Sequence, residues 1–312
     1  MSDVRFDEQV AIVTGAGRGL GRQYALDLAA RGAKVVVNDF GGDLAGADGS
    51  PAPAAEVVAE IEALGGTAVA DTGDVRSPAD RERLVGRAVE SWGRVDVLVN
   101  NAGIPGGGAL LGDLSDEVVD AVLDVNLHGA VGMARQVWPH MSAAGYGRIV
   151  NITSHSIFGT AYTAPYVISR TAHLGLTTAL AAEGAALGIK VNAVMPAAYT
   201  RMTAGIPDPD FLALLENNFG TQTVSPAVVL LASDQAPCSG EFFHSGGGLV
   251  ARVAFAVSQG AAGIVTAEDF RDRYAEVSDL PGVVTPASVD EVMGHVFSRA
   301  LGMSGTTPGL GS

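Results

Sequence analysis

Val10-Ala11-Ile12-Val13-Thr14-Gly15-Ala16-Gly17-Arg18-Gly19-Leu20-Gly21 is the stretch on which the fold turns. Its first five residues are a short β-branched run that reads as a strand. Gly15, Gly19 and Gly21 then follow at the spacing of a dinucleotide-binding turn. Any Cβ there would block both the tight turn and the approach of a pyrophosphate to the N-terminus of the next helix. Glycine-rich turns are common, so this stretch alone leaves an ordinary loop and a nucleotide site about equally open.

The rest of the chain repeats the same rhythm. Strands are expected at Val10 to Thr14, Lys34 to Asn38, Thr67 to Ala70, Val97 to Asn100, Arg148 to Thr153 and Lys190 to Val194, with a seventh near Glu241 to His244. Segments of helical period lie between them, at Leu20 to Ala30, Ala54 to Leu64, Pro78 to Ser91, Ser115 to Ala143 and Tyr166 to Leu187. This alternation predicts βαβ units in an α/β fold, a Rossmann-type doubly wound parallel sheet of about seven strands with helices on both faces. Gly41 to Pro53 is rich in Gly, Ala, Asp and Pro where a tight βα turn would suffice, so it reads as an inserted surface loop. Residues 1–250 are expected to form the dinucleotide-binding domain. Residues 251–312 are expected to add a C-terminal helical extension packed on that domain, with helices near Ala267 to Val277 and Ser288 to Ala300. The end, Ser304 to Ser312, reads as disordered.

Composition narrows the function. Of 312 residues 47% are apolar, enough for a large core. Nineteen basic against 34 acidic side chains leave a net charge of −15, which a nucleic-acid backbone or an anionic membrane would repel. A phosphate-bearing ligand can still bind locally, because helix N-termini and backbone N–H groups do not depend on net charge. The single Cys238 has no partner for a disulfide or a metal site, and His128, His155 and His173 lack metal-ligand spacing; no metal is expected. These histidines read as structural or substrate-lining. Met1 to Gln9 lacks a secretory pattern and no apolar run reaches the roughly 20 residues of a membrane helix, so the cytoplasm is expected.

Asp39 closes the second strand about 20 residues past the glycines, where a carboxylate accepts hydrogen bonds from an adenosine ribose and repels a 2′-phosphate. NAD is thereby favoured over NADP, with Arg18 pulling the other way and a loop cap as the plain alternative for Asp39. Asp74, beside Val75 after the third strand, is placed at the adenine side of the cofactor or at the start of the next helix near Ser77 and Pro78. After the fourth strand stands Asn100-Asn101-Ala102-Gly103, and after the fifth Asn151-Ile152-Thr153-Ser154. Tyr166 and Arg170 lie at i and i+4, on one helix face, so that the cation can act on the phenol.

The glycine turn, the Asn-Asn-Ala-Gly run, Asn126, Ser154 and the Tyr166 motif occur in the order and spacing of the short-chain dehydrogenase/reductase family. The resemblance covers about Val10 to Gly248. Within it, Val36 to Asp43, Ser154-His155-Ser156 and Thr200-Arg201-Met202-Thr203 after Pro196 resemble the (3R)-hydroxyacyl-CoA dehydrogenase part of the peroxisomal multifunctional β-oxidation enzyme and its bacterial relatives.

The resemblance implies an NAD(H)-dependent oxidoreductase that interconverts a secondary alcohol and a ketone, a 3-hydroxyacyl-CoA or a hydroxysteroid, as a homodimer or homotetramer. It implies Asn126, Ser154, Tyr166 and Arg170 as catalytic residues. It implies Gly15, Arg18, Gly19, Leu20, Gly21, Asp39, Asp74, Val75, Asn101, Ala102, Gly103, Tyr166, Arg170, Pro196 and Thr200 around the cofactor. Tyr166 would exchange a proton with the substrate oxygen, Ser154 would hold that oxygen, and Asn126 would anchor a water relay. Acidifying a phenol by about 3 units takes roughly 4 kcal/mol, and one cation about 4 Å away at an effective dielectric near 20 supplies as much.

Three departures stand out. Arg170 occupies the family's lysine position, the interval from Ser154 to Tyr166 is one residue short, and Ala197 follows Pro196 where glycine is common. A guanidinium keeps the charge but is bulkier, planar and unable to release a proton. Thr153 and Ser156 remain alternative hydroxyls. An attenuated or non-catalytic NAD-binding protein and an NADP-linked carbonyl reductase remain alternative functions.

Overall fold

A computed structural model describes residues 3–204, 208–286 and 288–301. The first half of the chain comprises β1 (Val10–Thr14), α1 (Gly19–Ala30), β2 (Lys34–Asn38), α2 (Ala52–Ala63), β3 (Thr67–Asp71), α3 (Pro78–Trp92) and β4 (Val97–Asn100). The second comprises α4 (Asp116–Leu123), α5 (Gly129–Ala144), β5 (Gly147–Ile152), α6 (Ala164–Gly184), β6 (Ile189–Pro196), α7 (Pro209–Asn218), α8 (Ser225–Ala232), β7 (Phe242–Gly246) and β8 (Leu249–Val253). The eight strands form one sheet in the order β3-β2-β1-β4-β5-β6-β7-β8, parallel from β3 through β7.

Period-two alternation builds a core on each face of this sheet. Ala11 and Val13, Val35 and Val37, and Val97 and Val99 point to one side, where Tyr24, Leu28, Ile61, Val228 and Leu231 cover them. Val10, Ile12, Val36 and Leu98 point to the other, against Leu84, Val85, Met133, Val137 and Met141. Each central strand is buried on both faces and therefore reads as a continuous apolar run. The order reverses at β1, whose neighbours are β2 and β4, so the carboxyl ends of β1 and β4 open a crevice at the topological switch point.

The structure departs from the expected elements at α7, which lies where no helix is expected, and in three further places. The segment expected as one helix over Ser115 to Ala143 is α4 and α5 joined by a π turn, Asp124–His128, which contains Asn126. α8 is buried almost all round, so its sequence carries no helical period to read. An eighth strand, β8, follows a two-residue link in which Gly247 and Gly248 have φ of 59° and 80°. That is the geometry of a type I′ hairpin, so β8 turns back along β7 as an exposed edge.

Residues up to Arg252 form one compact unit and those from Val253 a second. Within the second, an antiparallel bridge joins Val257 to Val284. α9 (Ala267–Asp272) starts with a capping box between Thr266 and Asp269, and α10 (Tyr274–Ser278) continues it after a break at Arg273. In α11 (Val289–Leu301) His295 Nε2 donates to the Ser258 carbonyl at 3.0 Å and Arg299 Nε to that of Gln259 at 2.8 Å. The end expected to be disordered, Ser304 to Ser312, lies outside the described residues.

Candidate active site

The crevice is lined at one end by Asp39, Phe40, Asp74, Val75 and Arg76, along its floor by Gly15, Gly19, Leu20, Gly21, Asn101, Ala102 and Gly103, and at the other end by Thr153, Tyr166, Arg170, Pro196 and Thr200. Arg18 and Arg201 also line it. One cleft thus brings together every residue that the sequence assigns to a cofactor. Of the residues assigned to catalysis, Tyr166 and Arg170 line it, whereas Asn126 is wholly buried and Ser154 is half-buried.

The glycine turn is held from below. Asn101 Nδ2 donates to the carbonyls of Thr14 and Gly15 at 2.9 and 3.0 Å, while Thr14 Oγ1 accepts from the backbone of Asn101 and Ala102, each at 3.1 Å. Gly15 sits at φ +63°, and a Cβ on it would lie 2.8 Å from Ala102 Cα, so this approach of two loops requires glycine. The turn leaves the N-terminus of α1 open to the crevice, where backbone N–H groups suit a pyrophosphate.

Asp39 ties the turn to β2. Its Oδ2 accepts from Gly17 N and its Oδ1 from Gly41 N, both at 2.7 Å, and each oxygen keeps a further lone pair for a ligand hydroxyl. The inserted loop folds back at this end, with Asp43 accepting from Ala45 N and Ala47 N at 2.8 and 2.9 Å. The Ala47 bond, followed by those of Ala45 and Gly46, holds the Asp43 carboxyl below its usual range. Asp74 does not cap α3, since Ser77 Oγ accepts from Asp80 N. Its carboxylate instead takes Arg76 Nε at 2.7 Å, and that guanidinium lies 5.7 Å from the Phe40 ring centroid. Sequence reasoning passed over Phe40 and Arg76, although their adjacency to Asp39 and Val75 was a usable signal.

At the far end Arg170, 4% exposed, packs under Tyr166 with its guanidinium carbon 5.3 Å from the ring centroid. Its Nη1 donates to the Ile152 carbonyl at 2.9 Å, its Nε has no partner, and its Nη2 fills the space beside Gly103. No carboxylate pairs with it among the described residues. The other buried arginine, Arg148, donates to three carbonyls, those of Ser233, Gly147 and Gly188. Arg170 is thus a buried cation with little to balance it within the protein, a costly arrangement unless a ligand or a phenolate supplies the counter-charge.

Thr153 Oγ1 donates to the Arg170 carbonyl at 2.6 Å, which uses its only proton. Ser154 Oγ accepts from Ser156 N at 3.1 Å and keeps its proton for another acceptor. Asn126 acts from the π turn: Oδ1 accepts from Ile104 N at 2.8 Å, and Nδ2 donates to Ile104 O at 3.0 Å and to Ser169 Oγ at 3.1 Å. Ile104 offers no sequence signal, because its part is played by main-chain atoms. His128 pairs with Asp124 at the surface, and His155 Nε2 lies 2.8 Å from His244 Nδ1. No group of acidic, histidine or cysteine residues among those described could hold a metal. Burial, reinforced by Glu241, pushes the Cys238 thiol up to about 11, which leaves it a poor nucleophile. No helix among the described residues is long and apolar enough to cross a membrane.

The residues fit a dinucleotide: a turn that a Cβ would fill, a carboxylate with spare lone pairs at one end, and an unbalanced cation at the other. Comparison with known proteins agrees. The sequence profile of short chain dehydrogenase matches residues 9–209. The chain is 40% identical over 278 residues to a putative short-chain type dehydrogenase/reductase of Mycobacterium tuberculosis, covering 88% of this chain and 96% of that protein. It is 36% identical over 301 residues to the peroxisomal multifunctional enzyme type 2 of Mus musculus, covering 95% of this chain but only 40% of that enzyme. Its fold is similar to that of a 7α-hydroxysteroid dehydrogenase complexed with NADH and 7-oxo glycochenodeoxycholic acid. The TM-score is 0.71 at 29% identity, over 80% of this chain and 98% of that one. The chain belongs to the short-chain dehydrogenase family, whose members are oxidoreductases that use a nicotinamide cofactor.

Proposed function

We propose that the chain is an NAD(H)-dependent dehydrogenase that interconverts a secondary alcohol and a ketone, with a 3-hydroxyacyl thioester or a hydroxysteroid as substrate. The observation that carries this reading is the buried, unpaired guanidinium of Arg170 beneath the Tyr166 ring at the end of the crevice. The pairing sets a permanent cation against the ring whose hydroxyl is the group placed to exchange a proton with a substrate oxygen. The bound nicotinamide supplies the hydride acceptor or donor. Tyr166 takes the alcohol proton in one direction and returns it in the other. Ser154, whose hydroxyl proton is uncommitted, holds the substrate oxygen, while Thr153 is spent on the Arg170 carbonyl. Ile157, Phe158 and Tyr162, in the loop after Ser154, suit an apolar substrate.

Asp39 supports NAD, since its carboxylate would repel a 2′-phosphate. The NADP reading draws on Arg18 and Arg201, whose guanidinium groups both reach toward Gly42 O at the same end of the crevice. Mixing the protein with NAD and a panel of 3-hydroxyacyl thioesters and hydroxysteroids should raise NADH absorbance, and Tyr166→Phe should abolish the rise even at NAD concentrations that saturate the variant. Silence across the panel with cofactor bound would leave a binding protein. Asp39→Ala should weaken NAD and relatively favour NADP; unchanged discrimination would remove Asp39 from the choice.

A further inference from the structure

His173 is the one fully buried histidine among the described residues, and no step above uses it. It lies one helical turn beyond Arg170 on α6. Its Nε2 is 2.7 Å from the main-chain carbonyl of Asn126, an acceptor only, so this nitrogen carries the proton. In the neutral ring Nδ1 is then a bare acceptor with no donor within hydrogen-bond geometry, and the Ile152 carbonyl is the other main-chain group near the ring. The orphan atom on Arg170, Nε–H, is a donor three residues away on the same helix face.

Two consequences follow from this placement. The Asn126 carbonyl belongs to the π turn whose side chain grips both main-chain atoms of Ile104, the residue after Gly103, and Gly103 in turn borders Arg170 Nη2. The His173 bond therefore closes a ring of contacts running through Asn126, Ile104, Gly103 and Arg170. A second proton on His173 would set another charge beside an already unbalanced cation. Around the ring, α6 presents Arg170, and the π turn and β5 present the main chain of Asn126 and Ile152, with no carboxylate among them.

Resting on the dehydrogenase reading above, we propose that His173 is a positioning residue: as a neutral Nε2–H imidazole it holds the Asn126 turn and keeps the Arg170 guanidinium seated under Tyr166. The role suits a site with arginine, whose planar fork needs its position fixed where a point charge would not.

His173→Leu removes the donor and His173→Gln restores one. With an active alcohol, Leu should lower kcat by about tenfold or more, with a much smaller change in KM for NAD, and should move the limb of the kcat pH profile by about one unit or more. Gln should recover most of both. An unchanged profile in Leu, or a loss in Gln as large as in Leu, overturns the proposal. A second measurement needs neither turnover nor a variant. Nitrogen NMR of the wild-type protein should show the His173 ring as the neutral Nε2–H tautomer from about pH 5 to 8. A ring that protonates within that range, or carries its proton on Nδ1, also overturns the proposal. If no alcohol is oxidised although NADH binds, the dehydrogenase reading fails while the tautomer result still decides the state of His173.

Discussion

Arginine at position 170 keeps the charge that the chemistry needs and changes how the charge is held. A lysine ammonium would swing on a flexible stem, whereas the guanidinium is wedged between the Ile152 carbonyl, the Tyr166 ring and the bare side of Gly103. A Cβ at Gly103 would lie close enough to Arg170 Nη2 that one of the two must move. Gly103→Ala should therefore cost about 1–3 kcal/mol of stability by overpacking and displace the guanidinium. The check is urea denaturation alongside kcat, and a variant equal to wild type in both would show that the space is not contested. Residue identity made much of this site legible. Tyr166 with a cation at i+4, the glycine turn and Asp39 are patterns of residue type and spacing, and such patterns survive without coordinates. Which of Thr153 and Ser154 has a free proton was not legible, because it depends on the Arg170 carbonyl across the chain.

At the scale of elements, the π turn Asp124–His128 carries the argument. Inserting it between α4 and α5 brings Asn126 into the interior, and π turns cost helix geometry that persists where a function or a buried polar contact repays it. Asn126→Ala would leave Ile104 N and O unpaired in a buried place. The expected cost is about 2–4 kcal/mol, with weaker NADH binding because the Asn101 to Ile104 run lines the cofactor end of the crevice. Thermal denaturation with and without NADH tests both effects, and a loss confined to stability would separate the turn from the cofactor site. The sequence pattern merged α4, the π turn and α5 into one helix because the backbone stays helical through Asp124–His128 and no capping residue marks the junctions. β8 was missed for a different reason: its five residues are exposed or half-exposed, and an edge strand with little burial has no alternation to read.

The molecule as a whole feels His173 through pH. Burial, with Arg170 adding to it, pushes this histidine down from 6.5 to about 4. Below pH 6.5 the unfolded ring binds a proton that the folded ring refuses, so stability that is complete above 6.5 is lost as the pH falls toward 4. The loss amounts to about 3 kcal/mol near pH 4. Urea unfolding from pH 7 down to about 4 should show a steeper decline for wild type than for His173→Gln, the other titrating groups being common to both. Parallel declines would mean that the buried ring ionises freely.

What the sequence by itself determined is the succession of strands and helices, the doubly wound class that it implies and the residue types at the two ends of the cofactor site. β1 to β6 are written as apolar runs between helical segments, and the turn after β1 is written in glycine, so both follow from interactions among near neighbours in the chain. Only the tertiary structure decided that Arg170 is buried without a carboxylate, that Asn126 grips Ile104, and that His173 reaches the Asn126 carbonyl 47 residues away. Hydrogen-bond partners far apart along the chain are chosen by how helices pack on the sheet, and spacing within a segment carries no record of that choice.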